Sequence, residues 1–369
     1  MRHVPAIVLA LLCGQAALAQ ENGDSSLRSA LSVLPAEIFS PTTPDLTRYL
    51  DLSRLAELHG GQLDRGAFLR GHSGAGLRPV EALVMAGPEE WSTTSGIDIA
   101  SLRFVAGYGQ PPHEVAIWGF TDEEAATEAF AGLAGRGFAS VGLLPGVVAN
   151  GEPGRMDMAA RDPADPWRGN LGQTSVVTQR GAAFLHAVDS AAFAPILGAS
   201  SPVGDTAAGK VLLAGLEAQE GVVVQAMLFG PALGLHSGVD SSVLMTKTPD
   251  EARAALEEAM AAPAPGVPLY SGAVLADLQG AGGPVMVLAL AYGDCATAEA
   301  AAAQAALLWP QSAGGTLTGE AAPSHVDAGE AGCAAVISVP AEGETNDPYG
   351  RAIGAILQLD LLPIRIGME

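Results

Sequence analysis

The sequence predicts an α+β fold made of two layered modules, each a largely antiparallel sheet with helices on one face. Three observations carry this expectation. Apolar strand-like runs alternate with capped helical stripes. Polar, Gly-containing links such as Gln179-Arg180-Gly181 and Gly280-Ala281-Gly282-Gly283 join successive runs as hairpins would. Apolar residues make up 49% of the 369, enough for a large core, and much of that share is Ala and Gly.

Taken in order, residues 1–19 read as a secretory signal peptide. Arg2 and His3 lead into the apolar run Val4 to Leu12, and Ala17-Leu18-Ala19 offers a small-x-small cleavage site before Gln20. Residues 20–78 read as a helical arm and a Gly-rich loop. Asp45 is placed to cap a helix through Leu46, Tyr49, Leu50, Leu52, Leu55 and Leu58, which Gly60-Gly61 stops.

Module 1 spans residues 79–200. Its strand Glu114 to Phe120 is followed by Thr121-Asp122-Glu123-Glu124, a capping box that opens a helix striped by Ala126, Ala129, Phe130 and Leu133. Further strands are expected at Ser175–Thr178 and Ala183–Val188. Module 2 spans residues 201–369, with strands at Gly221–Leu228, Ser242–Met245, Val285–Ala291 and Ala334–Val339. Thr248-Pro249-Asp250-Glu251 caps one of its helices, and an Ala-rich helix runs from about Thr297 to Trp309.

Phrases recur between the modules and raise the possibility of tandem duplication. Gly87-Pro88 with Ser95-Gly96-Ile97-Asp98 is echoed by Gly230-Pro231 with Ser237-Gly238-Val239-Asp240. Asp165-Pro166-Trp167 is echoed by Asp347-Pro348-Tyr349, although the spacings differ.

Trp91, Gly96-Ile97-Asp98, Gly109-Gln110-Pro111-Pro112, the strand to Phe120, Gly137-Phe138, Asp165-Pro166-Trp167-Arg168 and Gly181-Ala182-Ala183-Phe184-Leu185 form a pattern. It resembles a family of uncharacterised exported bacterial α+β proteins, some of them lipoproteins. The resemblance covers about a third of the chain and implies an exported α+β protein without implying an activity. This chain departs from the lipoprotein members, because Cys13 follows Leu12 where a lipidation site needs a small residue.

Charge and cysteine usage exclude several function classes. The formal charge is −22, and removing Arg2 with the leader makes it −23, so neither nucleic acid nor an anionic membrane is an expected partner. The surface reads as acidic and solvated. Beyond the leader no apolar run is long enough to span a bilayer, so no membrane anchor is expected. In an oxidising compartment Cys295 and Cys333 are expected to form one disulfide, worth about 3–4 kcal/mol by loop closure. The localisation expected is periplasmic or secreted.

Three motifs could carry chemistry. Gly71-His72-Ser73-Gly74-Ala75 resembles a nucleophile elbow, the basis of an alternative reading as a periplasmic serine hydrolase using Ser73. The residues before it make a poor strand, and His236 with Asp240 or His325 with Asp327 match later triad partners only in type. Gly204 to Lys210 fits seven positions of a P-loop, but Val211 stands where a hydroxyl is needed, so a loop and helix start is expected. Glu342, Glu344, Asn346 and Asp347 alternate like calcium ligands without the Gly and Glu of an EF-hand, leaving calcium binding open. The histidines show no metal-ligand spacing, and no metal or cofactor is expected.

The function expected is therefore non-catalytic: an exported protein that binds an unknown small molecule or an envelope protein, with an envelope assembly factor as a further alternative. Its ligand site is expected in a cleft between the modules, at Trp91, Asp98, Asp165, Trp167 and Arg168.

Overall fold

The computed structural model describes residues 26–110, 113–142, 145–198, 201–236, 248–261, 265–343 and 347–367. The signal-peptide reading, the strand expected at Ser242–Met245 and the calcium candidates Glu344 and Asn346 lie outside them.

The α+β class and the antiparallel pairing hold. Strands β1 (Leu46–Asp51), β2 (Leu102–Tyr108), β3 (Val115–Phe120), β4 (Ala139–Ser140), β5 (Val147–Ala149), β6 (Val176–Arg180) and β7 (Ala183–Ala187) come from the first half of the chain. The second half supplies β8 (Val222–Phe229), β9 (Ala273–Gly280), β10 (Gly283–Tyr292), β11 (Ala322–Asp327) and β12 (Cys333–Pro340). All belong to one 12-stranded sheet, ordered β11-β12-β10-β9-β8-β1-β2-β3-β7-β6-β5-β4.

One connectivity occurs twice. The orders β1-β2-β3-β7-β6 and β8-β9-β10-β12-β11 are equivalent, and the two runs meet where β1 pairs antiparallel with β8. Of the recurring phrases, Gly87-Pro88 and Gly230-Pro231 fall at equivalent places, each opening a helix between the first two strands of its run, whereas the other pair does not. Asp165-Pro166-Trp167 lies between β5 and β6, whereas Asp347-Pro348-Tyr349 follows β12.

The expected helix from Asp45 is corrected in its first half. Leu46 to Asp51 is the strand at the centre of the sheet, and helix α1 (Leu52–Leu58) begins only after it, capped by the Asp51 carboxylate accepting from the Arg54 N–H at 2.9 Å. Leu46, Tyr49 and Leu50 fit helical spacing, but the same run also alternates. Tyr49 faces one core and Leu50 the other, and pairing with β2 and β8 on both sides decides the outcome. Because β1 joins both runs, the two expected modules share one sheet.

Helices cover both faces, not one. On the first face lie α2 (Arg78–Ala86), α3 (Pro88–Ser95) and α4 (Glu123–Gly132) over the first half, with α7 (Cys295–Leu308) and α8 (Pro348–Leu357) over the second. The opposite face is closed by residues 26–31 and by α5 (Ala207–Glu217), packed on Tyr49, Ala226, Ala289 and Val336. Strands such as β3 are consequently buried along their whole length and read as continuous apolar runs.

Local chemistry fixes the helix ends. Asp122 caps α4 through the Ala125 N–H at 2.8 Å, and Asp294 caps α7 through Thr297 at 2.8 Å. Helix α6 (Pro249–Ala261) follows Thr248, whose N–H donates to the Glu251 carboxylate as one half of a capping box, while its hydroxyl donates to the same carboxylate. Gly204 to Lys210 forms a turn and the start of α5, with Thr206 as its cap. A disulfide joins Cys295 to Cys333, tying the first turn of α7 to the start of β12.

Candidate functional site

The five residues expected to bind a ligand all fall in the first half, away from the β1–β8 junction. Trp91 is interior at 1% exposure, and its indole N–H donates to the Pro79 carbonyl at 3.0 Å. Trp118 stacks on Trp167 at 4.7 Å and contacts Trp91 at 5.6 Å. These rings form a core, and the Trp167 indole N–H is used by the Ser95 carbonyl at 3.0 Å. Asp98 is exposed and caps a single turn through the Ala100 N–H.

Only Asp165, Trp167 and Arg168 share a cavity, a polar depression of about 650 Å³ that also takes in Arg136 and Asn150. Its cations are committed elsewhere. Arg136 donates to the Thr93 and Thr94 carbonyls, and Arg168 to the Asn150 carbonyl. Burial raises the Asp165 carboxyl, which accepts from the Trp167 N–H.

A second group of residues sits where the halves meet, over β8 and β9. Residues 62–77 cross this junction, held by buried polar contacts. Arg70 grips Asp277 with two parallel bonds, Nε to Oδ2 at 2.8 Å and Nη2 to Oδ1 at 2.7 Å. Its third donor reaches Gln279 Oε1 at 2.6 Å. Gln225 completes the network: its amide donates to the Arg70 carbonyl and to Asp277, and its oxygen accepts from the Ser73 N–H at 2.9 Å.

Ser73 lies within this network at 0% exposure, with its hydroxyl bonded to the Tyr349 phenol. Burial pushes that phenol far above its ordinary value. The adjacent His72 turns away and bonds Asp347 with Nε2 at 2.7 Å. Ser73 sits in a single 3-10 turn with no strand before it, unlike the strained strand-to-helix turn of a nucleophile elbow. His325 is on the outermost strand β11, while Asp240 lies outside the described residues. Asp347 caps α8 through the Gly350 N–H at 2.9 Å while holding His72.

Clefts open on both sides of residues 62–77. The first, of about 420 Å³, has an apolar wall of Phe68, Leu69, Val80, Val84 and Met85, with His72, Arg65 and Glu81 as polar groups. Gly74 lets the segment approach this closely, because a Cβ there would meet Val80 Cγ1 at 2.6 Å and Leu50 Cδ2 at 2.9 Å. The second, of about 870 Å³, mixes apolar surface from Leu58, Leu69 and Pro284 with the polar groups of Arg70, Asp277, Gln279 and Asp347.

The sequence reading passed over Arg70, Gln225, Asp277 and Tyr349. One signal was present: Asp277 and Gln225 are lone polar residues inside apolar strands, and such groups need buried partners. No protein-family model, curated protein or solved structure matches the chain.

Proposed function

We propose that this chain is a non-catalytic binding protein that works outside the cytoplasm. Its ligand is a small, mainly apolar molecule with one polar end, held in the cleft beside residues 62–77. The observation that carries the reading is the wall of Leu69, Val84 and Met85. These side chains are 74%, 37% and 66% exposed, respectively, and line a concave site into which His72 and Arg65 bring polar groups. Apolar walls with a few convergent polar groups are what small-molecule sites share, and exposed apolar side chains gathered in one place mark function more than scatter does.

An extracytoplasmic location is supported by the leader pattern of residues 1–19 and by the Cys295–Cys333 disulfide. Among the described residues no helix is long and apolar enough to cross a membrane.

The test is titration with 1-anilinonaphthalene-8-sulfonate, an apolar fluorophore with one anionic end. Saturable binding is expected, weakened about tenfold or more by Val84→Asp or Met85→Glu, which place charge in the wall. Leu307→Asp, on the 65% exposed outer surface of α7, is expected to leave binding unchanged. Equal binding by all four proteins would remove the cleft from consideration.

A further inference from the structure

A separate cavity of about 160 Å³ lies in the first half, lined by Arg78, Glu114, Ala116, Gln173 and His186 among others. Four distant pieces of chain build it. Arg78 opens α2, Glu114 precedes β3, Gln173 precedes β6, and His186 stands on β7 opposite Ala116 of β3.

The cation here has no anionic partner. Arg78 donates to the Ser175 hydroxyl at 3.2 Å and to the Gln173 side-chain oxygen, both neutral acceptors. Its nearest charge influences are Glu114, Glu81 and Asp165, and among the described residues none forms an ion pair with it. Glu114 is equally underused. Its side chain is 29% exposed, and among the described residues the one ion pair it makes is to Arg48 at 3.9 Å. Burial of an unpaired charge is costly unless something completes it.

His186 backs the cavity as a neutral donor that fixes the Ser175 hydroxyl under Arg78. The Ser175 hydroxyl proton is spent on the Trp167 carbonyl at 2.7 Å, so His186 Nε2, 2.7 Å from the same oxygen, must be the donor. That tautomer leaves Nδ1 as a bare lone pair, buried and without a partner. The imidazole stays neutral because burial, helped by the Arg78 charge, lowers its pKa well below the ordinary value.

The cavity wall therefore offers a cation and an anion in one small volume, with Gln173 beside them. At about 30 Å³ per water, the space corresponds to about five waters, or a molecule of five or six non-hydrogen atoms. We infer that this cavity is a binding site for a small zwitterion of the α-amino-acid class, its carboxylate on Arg78 and Gln173 and its ammonium on Glu114.

Calorimetric titration of the full chain with glycine, alanine, acetate, methylammonium and leucine tests this. Glycine or alanine should bind saturably, and acetate and methylammonium about tenfold or more weakly, since each lacks one charge-assisted contact. Leucine should not bind. Glu114→Gln should bring glycine down to the acetate level, and Ala116→Leu, which fills the cavity, should abolish binding in a chain that still unfolds cooperatively. Glu114→Gln changes one half-exposed side chain and keeps the test available if Ala116→Leu does not fold. Three results would each overturn the assignment: no saturable binding of glycine or alanine at tens of millimolar, acetate binding as tightly as glycine, or indifference to Glu114→Gln.

Discussion

His72 Nε2 lies 2.7 Å from Asp347 Oδ2, a contact across 275 residues that joins the crossing segment to the first turn of α8. The hydrogen bond to Asp347 raises the imidazole above 6.5, against the lowering effect of burial. Burial alone would raise the Asp347 carboxyl. The His72 bond, the Gly350 N–H and the nearby Arg70 together outweigh it and leave the group below 3.8.

The raised imidazole stabilises the fold fully below about pH 6.5 and loses that contribution as pH rises through its folded value. The lowered carboxyl contributes above about pH 3.8 and loses its contribution as pH falls further. Both side chains are over a third exposed, so the pair contributes less than about 1 kcal/mol. Urea unfolding of wild type and His72→Ala should differ most near pH 5 and converge by pH 9. A difference that ignores pH would rule out the charged pair.

Asp51 behaves in the opposite sense from most carboxylates. It is 1% exposed, and burial raises it from 3.8 to about 6 despite bonds from Arg54 and Tyr49. The folded state therefore holds its proton more tightly, and stability falls as pH rises from about 4 to about 6. Asp51→Asn keeps a cap of equal quality and removes the charge. It should be more stable than wild type by about 1–3 kcal/mol at pH 7, with the gain shrinking towards pH 4. Thermal melts at both values would show it.

Arg70 and Asp277 should fail unequally when changed singly or together. Asp277 is 3% exposed, so Arg70→Ala leaves a carboxylate buried without its cation and should cost about 3–5 kcal/mol in urea. Arg70→Lys should recover little, because an ammonium cannot reproduce the two parallel bonds. The double change Arg70→Met with Asp277→Leu should cost less than Arg70→Ala alone. A larger loss in the double variant would contradict the reading of a desolvated pair.

Reducing the Cys295–Cys333 bond should lower stability by about 2–4 kcal/mol and leave the fold intact at room temperature. Alkylation followed by peptide mass analysis should modify both cysteines after reduction and neither before it. Modification of unreduced protein would exclude the bond.

The legible parts of the chain were those whose signal is local. Apolar runs gave β3, β7, β8, β10 and β12, and Asp122 and Thr248 announced the helices they open. Strand β1 was misread because six residues fit both periodicities, and only its neighbours 50 and 180 residues away choose between them. Trp91 and Trp167, expected at a ligand site, are packed in a core, and nothing local separates an anchor from a platform. The junction network was marked in the sequence only by its lone polar strand residues, and its partners were hidden for the same reason as β1. Arg70, Gln225, Asp277 and Tyr349 have no fixed spacing, and their meeting follows from strand order alone.

That order has a consequence for how the chain is made. The middle strand of the finished sheet is among the earliest to leave the ribosome, yet its partner β8 ends at Phe229. Until then the growing chain carries an unpaired edge in what will become its interior, open to wrong pairing with any extended neighbour. The seam between the halves thus sets a time as well as a place. A protein truncated after Ala187 would hold seven strands and expose β1, and should aggregate where the full chain does not.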